Sequence, residues 1–417
     1  MIIKANKRKI INDPVYGFIN IPNDFIYDII EHPWFQRLRN IRQLGLTNLV
    51  YPGANHNRFQ HALGALHLMS MALATLKNKG VEISNEEEEA AYLAILLHDI
   101  GHCPFSHALE NTIVEGIDHE ALSLFLINKI NEFYSGKLTL ATEILFGKYQ
   151  RMFLHELISS QMDMDRLDYL MRDSFFTGVI EGAVNSERII RMLNVSDNSL
   201  VVDEKGIYSL EKFLFARRLM YWQVYMHKTV VSAGSLLVKL LNRARELTTS
   251  GIEIFATPAL EFFLNNKFEK PDLLTDGRFT TNIIAEHFTS LDDSDILIAA
   301  KYWANHSDKV LSDLASRLTR RNLFAIELSN ELFSDEKIEK LQKLVEKKMK
   351  ISESESKYFV YSGKVSNLQY TPEFHEIKIL LKNGKTDNIS SVSDIFNHKF
   401  ISEKIIKHFL CYPKEYR

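Results

Sequence analysis

A histidine and an aspartate stand side by side at His98-Asp99, within Leu97-His98-Asp99-Ile100-Gly101-His102, where an apolar run ends. Imidazole nitrogen and carboxylate oxygen are donors that a divalent metal accepts. Adjacent side chains on a helix diverge by about 100°, so the two bracket an ion rather than stack on it. A His-Asp dipeptide alone arises often by chance, and a polar helix end accounts for it as well. Two further segments change the balance. His61 lies upstream in residues 55–61 (NHNRFQH), and residues 162–169 (MDMDRLDY) set Asp163, Asp165 and Asp168 into an otherwise apolar helical pattern. Carboxylates in such a setting must be paired or bind something. His61, His98, Asp99 and Asp165 together make a two-histidine, two-aspartate set with positions left for water and phosphate. Structural zinc sites favour closed cysteine/histidine sets. This oxygen-rich set suits Fe, Mn, Co, Ni or Mg better, with Zn still open.

These residues need helices to position them, and the spacing supplies helices. Phe25, Ile29 and Ile30 give one helical stripe after Asp24, and Phe35, Leu38 and Ile41 another after Pro33. Residues 61–79 predict a helix that ends at Gly80, and residues 86–99 a second, with Glu86 to Glu89 suited to its N-terminal dipole. Asp118 can cap a helix running to Phe133. Residues 154–172 predict another, and residues 210–247 one long helix or a kinked pair. Residues 1–23 read as irregular or short strands, with turn signals at Asn12-Asp13-Pro14. Beyond Pro258 the character changes. Residues 358–361 and 377–381 read as strands, with a turn at Asn383-Gly384. Residues 337–350 form a basic amphipathic stretch, expected to be a solvated helix face. The expectation is a mainly α fold: a helical core over residues 1–255 and a smaller α+β C-terminal lobe over 256–417.

Composition narrows the function classes. Of 417 residues 46% are hydrophobic, enough for a large core, and 53 acidic against 50 basic side chains leave a net charge of −3. That balance gives no strong nucleic-acid signal, because a duplex binder needs a basic footprint. A nucleotide ligand needs only a local positive pocket. Two cysteines, Cys103 and Cys411, are too few and too far apart for a disulfide framework. The first ten residues carry charge without a following apolar run, so no signal peptide is expected. No apolar run approaches a membrane span. A soluble, cytoplasmic protein is expected.

Longer strings narrow the reading further: Phe35-Gln36-Arg37-Leu38-Arg39, Gln43-Leu44-Gly45, Tyr51-Pro52-Gly53-Ala54, residues 56–61, residues 98–107 (HDIGHCPFSH) and residues 165–173 (DRLDYLMRD). With His61, His98-Asp99 and Asp165 they resemble the HD-domain deoxynucleoside triphosphate triphosphohydrolases, the group of bacterial dGTPases and the sterile-alpha-motif dNTPase. The resemblance covers about residues 9–250 and is thinner beyond, where Arg321-Asn322-Leu323-Phe324 fits. No sterile-alpha-motif domain is expected before the core.

The resemblance implies roles at matching positions. His61, His98, Asp99 and Asp165 would hold the metal. Arg58 and Arg166 would contact phosphate, and His102, His107, Glu110 and His119 would be catalytic. Glu110 stands where the sterile-alpha-motif enzyme has aspartate and dGTPases have glutamate. Tyr169 and Asp173, one and two turns beyond Asp165, would contact sugar and phosphate. Arg217 and Tyr225 would line the substrate pocket, with Gln43 and Leu44 near the sugar 3′-hydroxyl and base; Leu44 reads equally as ordinary core. Lys9, Asn12, Glu31, Gln36 and Arg39 fall where the related enzyme takes an activating guanine nucleotide, and residues 36–39 read equally as a helix face that stabilises the fold.

The leading expectation is hydrolysis of a dNTP to deoxynucleoside and inorganic triphosphate, with Mg²⁺ on the substrate triphosphate, a nucleotide as possible activator, and a homo-oligomer (dimer or tetramer). The rivals are another HD-type nucleotidase or phosphodiesterase, a non-catalytic nucleotide-binding scaffold and, more weakly, a nuclease.

Overall fold

The computed structural model describes residues 9–110, 112–114, 117–275, 277, 279–366, 376–395 and 405–416, the side chains of His107 and Lys270 excepted. The turn signal at residues 12–14 closes a hairpin. Strand β1 (Ile10–Asp13) pairs antiparallel with β2 (Gly17–Asn20), Asp13 opposite Gly17. Asp13 shapes the turn by accepting from the backbone N–H of Val15 (2.9 Å) and Tyr16 (3.0 Å). Helix α1 (Asp24–Glu31) is capped by Asn23 and buries Ile26, Ile29 and Ile30. The short α2 (Pro33–Gln36) begins with proline, whose missing N–H costs nothing there.

Helix α3 (Arg58–Asn78) starts three residues before the expected 61, because Asn57 and Gln60 form a reciprocal capping box. Ser84 and Glu87 do the same for α4 (Asn85–Leu97), and Asp118 caps α5 (His119–Phe133) as expected. Helices α6 (Thr139–Leu145) and α7 (Met152–Glu156) follow. The helix expected over residues 154–172 is broken. Asp163 lies in no helix: it caps α8 (Met164–Thr177), accepting from the backbone N–H of Arg166 at 2.7 Å and Ser160 at 2.8 Å. Its carboxylate is therefore paired, as expected, but by backbone N–H groups at a helix start rather than from inside a helix.

After α9 (Ser186–Arg191) come β3 (Leu193–Ser196), β4 (Ser199–Asp203) and α10 (Ile207–Met220). Residues 210–247 are the kinked pair. A π-helical turn at Tyr221–Tyr225 ends α10, and His227 caps α11 (Lys228–Thr249). Four more helices follow: α12 (Pro258–Asn265), α13 (Thr281–Ser290), α14 (Asp293–Trp303) and α15 (Lys309–Thr319). The mixed part then comprises β5 (Ala325–Ser329), α16 (Asp335–Met349), α17 (Glu353–Ser356), β6 (Tyr361–Ser366), β7 (Lys378–Leu380), β8 (Thr386–Asn388), α18 (Ile389–Val392) and β9 (Ile406–Tyr412). The fold is mainly α with a smaller α+β lobe. Only Val345 of α16 is buried, so this helix is a solvated face as expected. The strand expected at 358–361 begins only at Tyr361, and Phe359 and Val360 are core residues before it.

Strand β9 lies between β5 and β6, antiparallel to both. Strand β7 pairs in parallel with β4, Val202 opposite Ile379. A second tie runs the other way: buried Asp293, at the start of α14, accepts from the backbone N–H of Phe105 (2.7 Å) and Arg42 (3.1 Å). The C-terminal half thus helps to build the loops around the histidine cluster.

Candidate metal centre

His61 sits in the first turn of α3, fully buried, and His98 is the residue that ends α4. Each ring has one nitrogen committed. His98 Nδ1 lies 2.6 Å from the Ile95 carbonyl, which can only accept, so Nδ1–H donates. His61 Nδ1 lies 2.7 Å from Asp168 Oδ2 and donates to that carboxylate. Both Nε2 lone pairs then point inward. Neither buried Nε2 makes a hydrogen bond among the described residues, although Asp165 Oδ1 stands 3.0 Å from one and 3.5 Å from the other. One donor atom each from His61, His98 and Asp99 falls within 4.8 Å of the others. Orphaned buried nitrogens facing carboxylate oxygens are costly unless something electropositive lies between them. A divalent metal meets that requirement, and an N₂Oₙ donor set suits it.

The electrostatics agree. Burial works to depress the His61 pKa, but Asp165 and Asp168 outweigh it and pull it up to about 10. Burial also opposes ionisation of Asp99, yet Arg58, with His102, His98 and His61, holds its carboxyl well below the usual range. Asp165 is held low in the same way, against burial, by His61 and His98. The carboxylates thus favour positive charge between the two rings, which a divalent cation held here would supply.

Arg58 forms an ion pair with Asp99, and its Nε donates to Ser106 Oγ at 2.9 Å. Its guanidinium is thus beside the metal cluster, as its place one turn before His61 predicts. Phe105 and Ser106 both have positive φ, 54° and 53°, a conformation that non-glycine residues rarely hold without restraint. The Asp293 carboxylate on Phe105 N–H and the Ser106 hydroxyl donating to the Arg42 carbonyl at 2.9 Å supply that restraint.

A second group of acid–base residues lies alongside. His119 Nδ1 and Glu110 Oε1 are 2.5 Å apart, and the His102 and His119 rings lie against each other, tilted by 32°, with centroids 4.2 Å apart. Burial lowers the His119 pKa, but Glu110 more than compensates and leaves it raised. His102 Nδ1 is 3.2 Å from Asp99 Oδ1, joining this group to the metal cluster. The side chain of His107 lies outside the described residues.

Along α8, Asp165, Tyr169 and Asp173 share one face, as their spacing requires. Asp173 Oδ1 is held at 2.7 Å by His56 Nε2, and Asp173 Oδ2 accepts from the Tyr225 hydroxyl at 2.7 Å. Arg166 turns back to the loop before α8, with Nε 2.6 Å from the Ser160 carbonyl and 3.1 Å from Asp163. Arg217 is buried and bonds to Gln161 Oε1 at 3.1 Å, while its Nε has no partner among the described residues. Gln43 Oε1 is likewise buried without a partner, and Leu44 is half-buried against the core.

Three supporting residues carried no expected role, and a fourth, Asp168, was expected only to be paired or to bind something. His56 stacks on Phe176 and orients Asp173. Asp168 orients His61, Arg172 clamps Asp168, and Asp293 anchors the loops. His56, Asp168 and Arg172 all lie inside the quoted motifs, so proximity in sequence was an available signal. Nothing in the sequence around Asp293 linked it to the site.

Of the five residues expected to hold a nucleotide activator, Lys9, Asn12, Glu31 and Arg39 line one cavity of about 560 Å³, with Asp13, Tyr27, Phe59 and Gln60. Gln36 does not line it. Its amide donates to the Ile30 carbonyl at 2.7 Å and accepts from Arg39 Nε at 2.6 Å.

This constellation defines a class. Residues 58–172 match the HD domain, and residues 184–256 match the HD-associated region. Among individual proteins, a phosphohydrolase of Bacteroides thetaiotaomicron has a crystal structure that superposes with a TM-score of 0.93 at 50% identity, covering 97% of this chain and 100% of that one. The Bacillus subtilis protein YwfO, which is uncharacterized, is 32% identical over 99% of this chain and 94% of its own length. A Dictyostelium discoideum protein described as a deoxynucleoside triphosphate triphosphohydrolase SAMHD1 homolog is 32% identical over 57% of this chain and 49% of its own. The chain belongs to the HD-domain phosphohydrolases, a metal-dependent family with SAMHD1-like relatives. Among the described residues no helix is long and apolar enough to cross a membrane.

Proposed function

We propose that this protein hydrolyses deoxynucleoside triphosphates to deoxynucleoside and inorganic triphosphate. The observation that carries the reading is the joint presence of an orphaned two-nitrogen cradle, a buried arginine paired with one of its carboxylates, and an adjoining His102–Glu110–His119 group. When bound by His61, His98, Asp99 and Asp165, a divalent cation (Fe, Mn, Co, Ni, Zn or Mg) supplies Lewis-acid charge and lowers the pKa of water. Arg58 and Arg166 offset phosphate charge as the substrate draws them from Asp99 and Asp163, and Mg²⁺ travels with the triphosphate. Glu110 holds His119 Nδ1–H, which favours the charged imidazole as the donor of a proton at Nε2. His119 with His102, or His107, protonates the leaving 5′-oxygen. Tyr169, Asp173, Arg217, Tyr225, Gln43 and Leu44 shape the pocket for sugar and base; the unpartnered Arg217 Nε and Gln43 Oε1 are free to receive a ligand.

The cavity lined by Lys9, Asn12, Glu31 and Arg39 takes an activating nucleotide in this reading, because a carboxylate can accept from guanine N1 and N2 while arginine faces O6. A dimer or tetramer in the cytoplasm completes the proposal. Purified protein, given each dNTP with each metal in turn, is expected to release tripolyphosphate from at least one. Release of orthophosphate only, or action on monophosphates only, transfers the assignment to another HD-type nucleotidase.

A further inference from the structure

His61 is the end of a buried chain of charges that reaches the surface elsewhere. Its Nδ1 donates to Asp168 Oδ2 at 2.7 Å. Arg172, one turn further along α8, clasps the same carboxylate with Nε and a terminal nitrogen, each at 3.0 Å. Its remaining nitrogen reaches Asp13 Oδ2 at 2.8 Å. Asp168 and Arg172 are wholly buried, and Asp13 nearly so. Asp13 is also the last residue of β1, its other oxygen holds the turn at Val15 and Tyr16, and it lines the 560 Å³ cavity with Asn12 and Lys9. Gln60, the residue before His61, lines the same cavity.

Three buried charges are an expensive way to fill a core. Apolar residues of the same volume are often as stabilising or more so. Their geometry does something apolar residues cannot. A carboxylate on Nδ1 fixes the imidazole tautomer and ring plane and leaves the Nε2 lone pair for a metal. The fully committed arginine in turn fixes the carboxylate, and Asp13 fixes the arginine.

We propose that Asp168, Arg172 and Asp13 are positioning residues for the metal ligand His61, and that through them the state of the β1 turn sets metal affinity. This rests on the metal reading of the His61–His98–Asp99 cluster and on the cavity as a ligand site. A ligand that moves Asp13 changes how firmly Arg172 is held, and so how well His61 is aimed. By linkage, metal at His61 must then change the affinity of the cavity for its ligand by the same factor.

The test uses the full chain without substrate and reads Mn²⁺ affinity by competition with a fluorescent chelator, with circular dichroism confirming the fold. Asp168→Asn is expected to weaken Mn²⁺ binding by roughly 10- to 100-fold, the usual cost of losing a partner behind a ligand. Asp13→Asn, separated from the ion by three side chains, is expected to weaken it by about 5-fold or more. Wild-type affinity in folded Asp13→Asn overturns the proposal. If that variant does not fold, Arg172→Lys decides, since it keeps the buried charge but loses the two-pronged grip; unchanged Mn²⁺ affinity there overturns the proposal equally. GTP as the cavity probe gives a mutation-free arm. Bound GTP is expected to shift Mn²⁺ affinity in the wild type but not in Asp13→Asn, and bound GTP with no shift in wild type overturns the coupling. Absence of GTP binding removes the activator reading and leaves the Asp13 and Arg172 variants to judge the chain. Failure to hydrolyse dNTPs bears on none of these readouts.

Discussion

Gly64 and Gly234 both stand inside long helices, and replacing each with alanine should have opposite effects. Helix propensity alone favours alanine by about 1 kcal/mol. At Gly234 in α11 the added methyl meets only the Ala108 Cβ at 3.6 Å, an ordinary contact. Gly234→Ala should therefore stabilise the protein by up to roughly 1 kcal/mol. At Gly64 in α3 the methyl would be driven into the Asp168 carboxylate and the Arg172 guanidinium, well inside contact distance. Neither can retreat, because each is wholly buried and hydrogen-bonded on its other side. Disrupting a buried ion pair costs about 3–5 kcal/mol. Less the propensity gain, Gly64→Ala should lose about 2–4 kcal/mol. Urea unfolding of the metal-free protein, monitored by circular dichroism, gives both values on one scale. A Gly64→Ala protein as stable as wild type would mean that Asp168 and Arg172 are not packed against α3 as described, and would refute the reasoning outright.

Other expectations follow from the same geometry. His98→Ala with Asp99→Ala should abolish phosphohydrolase activity and metal uptake together, measured by product chromatography and metal analysis; retained turnover would remove the cluster from the chemistry. Asp293 is a buried carboxylate whose pKa burial pushes up to about 6 from an ordinary 3.8. The folded form then keeps a proton that the unfolded form has lost, so stability falls as pH rises through about 4 to 6 and the effect is complete above. At about 1.36 kcal/mol per pKa unit the term is on the order of 3 kcal/mol, and a pH series of melts should show a shallower decline for Asp293→Asn. Burial pushes both the Cys103 and Cys411 thiols up to about 12. Neither should react with a thiol reagent at pH 8 in the native protein, whereas both should once it is denatured; a fast native reaction at either would contradict its burial.

The local part of this protein was written in its sequence. Helices α3, α4 and α5 begin where Asn57, Ser84 and Asp118 can cap them, and a cap is a contact between residues three apart. The donors His61, His98 and Asp99 were recognisable because metal chemistry restricts residue type, and each sits at a helix end that the sequence marks. Where a side chain had two local uses, the sequence could not choose. Asp163 and Asp168 belong to one acidic run, yet one caps α8 and the other is sealed behind His61. The break before α8, where Asp163 becomes the cap, separates their roles. Asp13 on Arg172 and Asp293 on the Phe105 loop lie beyond any reading of spacing. Their partners are 159 and 188 residues away. Helix propensity and capping act over a few residues, so sequence set the elements and the donor types. Burial and charge pairing act through space, so only the folded chain could decide which carboxylate faces a metal, which backs a histidine and which holds a loop.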